Sequence, residues 1–240
     1  MAIEVPTSLV AALDGIRLSD YANAIEVGVD VDTFDATTFG SGQFTATGAA
    51  LRGLIVNIGG MNDIGAIETL LAGEFASAAV LTVAPTGETA GNVAMIGYGL
   101  VTAWRMVNAS VGAPSTIQVP MTAVGGGRPL QGLVTRATTT AVTATATTTA
   151  VNVGAAPVGA WASLHVLAVS GTLPTITAQL QSSTSAGGSY TARGSASASR
   201  STVGGEWIVG ATTTDTWWRL NLTVGGTNPS FTVLAAIGEL

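Results

Sequence analysis

From Ala137 to Ala192 the chain carries no Asp, Glu, Lys or Arg, and that one fact removes most ways of folding it. A surface helix needs a solvated face, which Lys and Glu ordinarily supply, and lysine is absent from the entire sequence. The stretch offers Thr, Ala, Val and Gly instead. Thr and Val favour a pleated backbone, while the Thr and Ala tract over 137–150 would make only a marginal helix alone. A membrane span fails on residue type, because the uncharged stretch is broken by Asn152, Gly154, Pro157 and Gly159. The expected chain is mainly β, with cores of small side chains, since 47% of residues are apolar and only 5% aromatic.

A length of 240 residues leaves room for two domains. The run Gly125-Gly126-Gly127-Arg128-Pro129-Leu130-Gln131-Gly132 joins a glycine series to a proline, which is linker chemistry. Charge changes sign there. Residues 1–125 hold eleven acids against Arg17, Arg52 and Arg105, a balance of −8, whereas 126–240 hold three acids against five arginines, a balance of +2. The sequence thus predicts a first domain over 1–125, a linker over 126–132 and a second domain over 133–240. An acidic first domain lacks the cations that displace counterions from phosphate, so it is expected to let nucleic acid pass rather than hold it. With no cysteine, disulfides, thiol nucleophiles and thiolate zinc sites are excluded. The start Met1-Ala2-Ile3-Glu4-Val5-Pro6 lacks a basic, then apolar, secretory leader, which points to synthesis in a cytoplasm.

Along the first domain Ile25, Val27, Val29 and Val31 alternate with Glu26, Gly28, Asp30 and Asp32, the period of a strand with one wet face. The segment from Thr33 to Gly48 carries Phe34, Phe39 and Phe44 and is too long for a tight hairpin turn, so it is expected to be a loop that packs against a partner. Further strands are expected at 51–58, 79–84, 93–106 and 116–124. One α-helix is expected, capped by Asn62 or Asp63, carrying Ile64, Ile67, Leu70 and Leu71 at helical spacing and ended by Gly73. The second domain should hold strands at 160–169, 175–181, 206–209, 216–224 and 230–237, the spacing of a β-sandwich.

Chemistry-bearing patterns are weak. Asp30-Val31-Asp32 opens like a calcium loop, but Asp35 stands where glycine is required and Ser41 where a bidentate Glu belongs. No metal or other cofactor is expected. His165, the only histidine, alternates with Leu164 and Val166 and has no acid near it in sequence to form a recognisable triad, so it reads as packed rather than catalytic. Gly97-Tyr98-Gly99 and Pro85-Thr86-Gly87-Glu88-Thr89-Ala90-Gly91 lack the lysine and full glycine spacing of phosphate loops. Trp217 and Trp218 must point to opposite faces of a strand. Trp218 joins Leu220 and Leu222 as core, while Trp217 joins Arg219 as a candidate exposed platform for a glycan.

Leu13-Asp14-Gly15-Ile16-Arg17-Leu18-Ser19-Asp20-Tyr21-Ala22-Asn23, followed by Asp32-Thr33-Phe34-Asp35-Ala36-Thr37-Thr38-Phe39-Gly40, resembles the opening of siphophage major tail tube proteins. The order of strands and single helix over the first half is similar too. The second half resembles the immunoglobulin-like or jelly-roll modules such proteins display, through Leu164-His165-Val166, Gln179-Leu180-Gln181-Ser182 and Trp218-Arg219-Leu220. The resemblance implies a mainly β chain: a tail-tube-type sandwich or barrel with one α-helix, then a second all-β sandwich that decorates the outside. It implies a non-enzymatic virion subunit, assembled in the bacterial host cytoplasm, whose copies form stacked and typically hexameric rings around a tape-measure protein, alongside other tail proteins. DNA would pass through without specific binding and nothing would insert in a membrane. Glu26, Asp30 and Asp32 are then candidates to face the bore, and Phe34, Phe39 and Phe44 to join rings. The rival expectation is a carbohydrate-binding or capsid-decorating sandwich whose working face is Trp217 and Arg219.

Overall fold

A computed structural model describes residues 8–21, 24–35, 47–59, 72–103, 105–107, 116–124 and 130–239. The fold is mainly β, and every strand ladder among the described residues is antiparallel. In chain order the strands are β1 (Val10–Leu13), β2 (Ile16–Arg17), β3 (Ala24–Asp35), β4 (Thr47–Gly59), β5 (Ala78–Ala84), β6 (Val93–Val101), β7 (Arg105–Val107) and β8 (Thr116–Ala123). They continue as β9 (Leu130–Arg136), β10 (Ala146–Thr147), β11 (Val151–Asn152), β12 (Ala160–Ser183), β13 (Thr191–Ala192), β14 (Gly204–Val209) and β15 (Trp217–Glu239). The expected helix falls mostly on 60–71, outside the described residues; residues 72–74 are helical, so the turn runs through Gly73 rather than ending at it.

Two compact units are present, and they divide the chain differently from the expected cut at 126–132. One comprises 1–20, 79–97 and 130–240, the other 21–78 and 98–129. Leu130–Arg136, half of it assigned to a linker by composition, is strand β9 and pairs with both β15 and β6. The glycine run signals a crossing of the chain between units, not a boundary between halves. Regrouped this way, seven acids face five arginines in the first unit and seven face three in the second, balances of −2 and −4. Charge is therefore far more even than the halves suggest, and its concentration lies on one strand, β3, with Glu26, Asp30, Asp32 and Asp35.

The larger unit is organised by β12 and β15, which pair from Ala160↔Glu239 to Ser183↔Trp217. The sequence predicts four strands here because Ser170-Gly171-Thr172-Leu173-Pro174 and Gly225-Gly226-Thr227-Asn228-Pro229 look like turns. Instead the ladder continues through them with register shifts, and Gly171, Leu173, Gly226 and Asn228 adopt positive φ. Such bulges bend a strand without ending it. Either side of the bend the same pair of strands supplies opposing walls of one apolar core: Ala162, Leu164, Val233 and Ala235 from one arm, Ile176, Leu180, Trp218 and Leu220 from the other. At about 25 cal/mol per Å² of apolar surface removed from water, this burial is the main stabilising term.

The opposite face of the first arm closes a second core. Strands run β14-β12-β15-β9-β6-β5-β1-β2, and their inward residues Trp161, Leu234, Ala236, Val134, Leu130, Ala94, Ile96, Ala84, Val10 and Ala12 pack together. The sheet curls until its ends meet, because the β1–β2 turn lies against β14. That turn is Asp14-Gly15, both at positive φ (44° and 86°), the two-residue hairpin connection these residue types favour. A Cβ on Gly15 would sit 2.5 Å from the Gly204 nitrogen, so glycine is required twice over, by φ and by space.

In the smaller unit β4 lies between β3 and β8, and β8 is flanked by the end of β6 and by β7. The strand expected over 93–106 is interrupted after Val101. Opposite the gap stands Pro120, whose carbonyl accepts from the Thr102 N–H at 3.1 Å. A residue's N–H and C=O point to the same side of a strand, so the donor that proline lacks would have faced this gap. The segment expected as a long loop over 33–48 is in part ladder: β3 and β4 stay paired out to Phe34↔Gly48 and Asp35↔Thr47.

Replacing Gly15 with Ala is expected to destabilise the protein by at least about 2 kcal/mol through left-handed strain and backbone overlap. The urea midpoint of the variant against wild type measures it, and an unchanged midpoint contradicts the close approach.

Candidate functional site

On β3, Glu26 is exposed and accepts a hydrogen bond from Asn57 Nδ2 of β4 at 3.2 Å. Asp30 stands opposite Gly53. Asp32 lies where the register shifts between Val31↔Arg52 and Thr33↔Ala49, so two residues of β4 face one of β3. All three acids are thus on one strand, and among the described residues β3 pairs with β4 alone. An edge strand of this kind presents unpaired backbone N–H and C=O groups. Phe34 is on the same strand; Phe39 and Phe44 lie outside the described residues.

Trp218 is fully buried, and its indole N–H donates to the Gly154 carbonyl at 3.2 Å. Trp217 and Arg219 are half-buried on the other face of β15. Sequence spacing alone separates these two faces. It does not reveal Tyr190, which reaches Arg219 from the turn after β12 and lies under its guanidinium, 4.0 Å from the ring centroid.

His165 is sealed in the second core. Its Nδ1 accepts from the Gly15 N–H at 3.3 Å, so Nε2 carries the proton of the neutral ring and donates to Thr82 Oγ1 at 2.9 Å. Thr82 and Ser163 hydroxyls are 2.6 Å apart. All three side chains are inaccessible, so this histidine cannot meet a substrate. Burial drives its pKa from 6.5 down to about 3, because an imidazolium there would lose hydration and clash with the Gly15 donor.

A second polar network lies at the rim of the first core. Asp215 Oδ2 accepts from Ser182 Oγ and from Arg193 at 2.7 Å each, and Arg193 Nε donates to Ser182 Oγ at 2.7 Å. The Ser182 hydrogen bond first, then Arg193, hold the Asp215 carboxyl below its ordinary range. A serine beside an acid with no histidine in reach is a clamp: it ties the segment before β15 to β12 and the residue after β13. A cleft of about 320 Å³ is lined by Gln131, Gly132, Leu133, Asn152, Val153 and Glu239. Burial raises the Glu239 carboxyl, but no nucleophile accompanies it there.

Among the described residues no cluster of three or more His, Asp or Glu is placed to hold a metal ion, and no helix is long and apolar enough to cross a membrane. These features define an antiparallel β protein whose polar networks lock strands together. No protein-family model and no curated protein matches the chain. Among solved structures it is similar to the SPP1 Dit (gp 19.1) protein, described as a paradigm of the hub adsorption apparatus in phages infecting Gram-positive bacteria, at 13% identity and a TM-score of 0.36 over 97% of this chain and 99% of that one.

Two outcomes are expected. Because the unfolded chain binds a proton at His165 near pH 6.5 and the folded chain only near 3, stability is full above pH 6.5 and falls at about 1.4 kcal/mol per pH unit below it. Urea unfolding from pH 4 to 8 should show this slope in wild type and a shallower one in His165→Gln; equal slopes overturn the assignment. Asp215→Ala leaves Arg193 without its carboxylate and is expected to cost about 2 kcal/mol, the partial exposure of Arg193 keeping it below the figure for a fully buried pair. Thermal denaturation of that variant provides the check.

Proposed function

We propose that this chain is a structural subunit of a phage tail, working as a many-copy assembly rather than as a catalyst. The observation that carries the reading is the outer edge of β3, a 12-residue strand carrying four acids that pairs, among the described residues, with β4 alone. An unpaired edge of that length favours pairing with another strand, and closing a ring of identical copies satisfies every edge without open-ended growth. In such a ring, a hexamer being the simplest case, the chain would encircle a tape-measure protein and form a conduit for DNA.

Glu26, Asp30 and Asp32 belong to this reading as bore-facing acids. Like charge along a wall keeps duplex DNA mobile, since binding would need cations. Phe34, Phe39 and Phe44 belong to it as contacts between rings. The sealed position of His165 supports a non-catalytic role, because the one imidazole is spent on holding strands together.

Negative-stain electron microscopy and light scattering of the purified chain across a concentration series test the proposal. Rings or tubes are expected. A chain that stays monomeric at every concentration overturns it.

A further inference from the structure

We infer that the outer face of β15, where it runs beside β12, is a binding site for an anionic saccharide, with Arg219 as the anion ligand and the Trp217 ring as the sugar platform. The starting point is the state of Arg219. Among the described residues Arg17, Arg193 and Arg200 each pair with a carboxylate, Asp20, Asp215 and Glu206 respectively, and Arg136 donates to the Thr140 carbonyl at 2.8 Å. Arg219 is held instead by neutral groups: its guanidinium stacks on Tyr190, and its Nε donates to Gln181 Oε1 at 2.9 Å. Tyr190 is fixed in turn, its hydroxyl donating to the Ala186 carbonyl at 3.1 Å.

The arrangement orients a guanidinium without neutralising it. The stack and the Nε hydrogen bond set the plane, which leaves the Nη edge as the fork that meets a carboxylate or phosphate. Because the side chain is already ordered, less rotamer entropy is lost when an anion arrives.

Trp217 supplies the second element. It lies two residues away on the same face, about 7 Å along the strand, half-buried between Ser183 of β12 and Asn152 of β11. An indole face accepts the apolar C–H side of a pyranose, so a sugar seated there brings an acidic substituent within reach of Arg219. A neutral glycan would use the tryptophan but have no need of an unpaired guanidinium. The charge is what assigns the ligand class. This site is independent of ring formation.

The test uses the full chain and three polymers: a phosphomannan, a polygalacturonate and neutral dextran, each titrated by calorimetry. Wild type is expected to bind at least one anionic polymer and not dextran; the phosphate and uronate arms distinguish which acid is recognised. Trp217→Ala and Arg219→Gln should each weaken binding at least tenfold while circular dichroism and melting temperature stay near wild type. Tyr190→Phe, which keeps the ring under the guanidinium, should bind within about threefold of wild type. The inference is overturned if neither anionic polymer binds, if dextran binds equally well, or if either Trp217→Ala or Arg219→Gln binds as wild type. Electron microscopy of the same samples reads assembly separately, so a failure here leaves the tail-subunit proposal standing or falling on its own result.

Discussion

The paired run of β12 with β15 is the element on which the larger unit depends. Because the ladder bends instead of ending, each strand lends one arm to each wall of the first core and still presents Trp161, Leu234 and Ala236 to the second. Both cores share the same backbone, so their stabilities are coupled through it. Small side chains make this geometry possible. Ala160, Ala162, Ala178, Ala235 and Ala236 are wholly buried, and a sheet faced on both sides by apolar layers could not approach so closely with larger residues.

The two side-chain networks inside this unit are matched where burial makes a mismatch costly, although Glu88 Oε2 and Arg136 Nε are buried without a hydrogen-bond partner. His165 accepts from one strand's turn and donates to another strand's threonine, joining β12, β5 and the β1–β2 hairpin at a single ring. Asp215, Ser182 and Arg193 do the same at the rim. Arg219 is oriented by neutral partners that leave its charge uncompensated, with Tyr190 stacked on it and Gln181 bonded to its Nε.

Strand positions were legible wherever alternation was regular. Ala78–Ala84 and Thr116–Ala123 fall within a residue of the expected spans, and Trp218 was identifiable as core because a strand admits only one inward neighbour of a pair. Strand count was not legible in β12 and β15, since Gly, Pro and Asn mark a bulged bend with the same residues that mark a turn. Domain membership was hidden for a related reason: composition reports where the chain is flexible, and the ladder from β9 to β15 spans a hundred residues of sequence that no local pattern links. The Asp14-Gly15 hairpin carried a readable signal, a two-residue turn between apolar strands, yet its docking on His165 is 150 residues distant. Tyr190 beneath Arg219 had no signal at all.

The interleaving of the units has a bearing on synthesis. Residues 21–78 and 98–129 are inserted into the larger unit, so on the ribosome the smaller unit is complete once Pro129 emerges, whereas the larger one waits for β15, its last strand. Folding of the larger unit therefore waits on a strand far along the chain and is dominated by distant contacts, which makes it slow. Until β15 arrives, β9 and β12 lack a shared neighbour, and the nascent chain passes through an interval in which those apolar strands have to be kept from other chains.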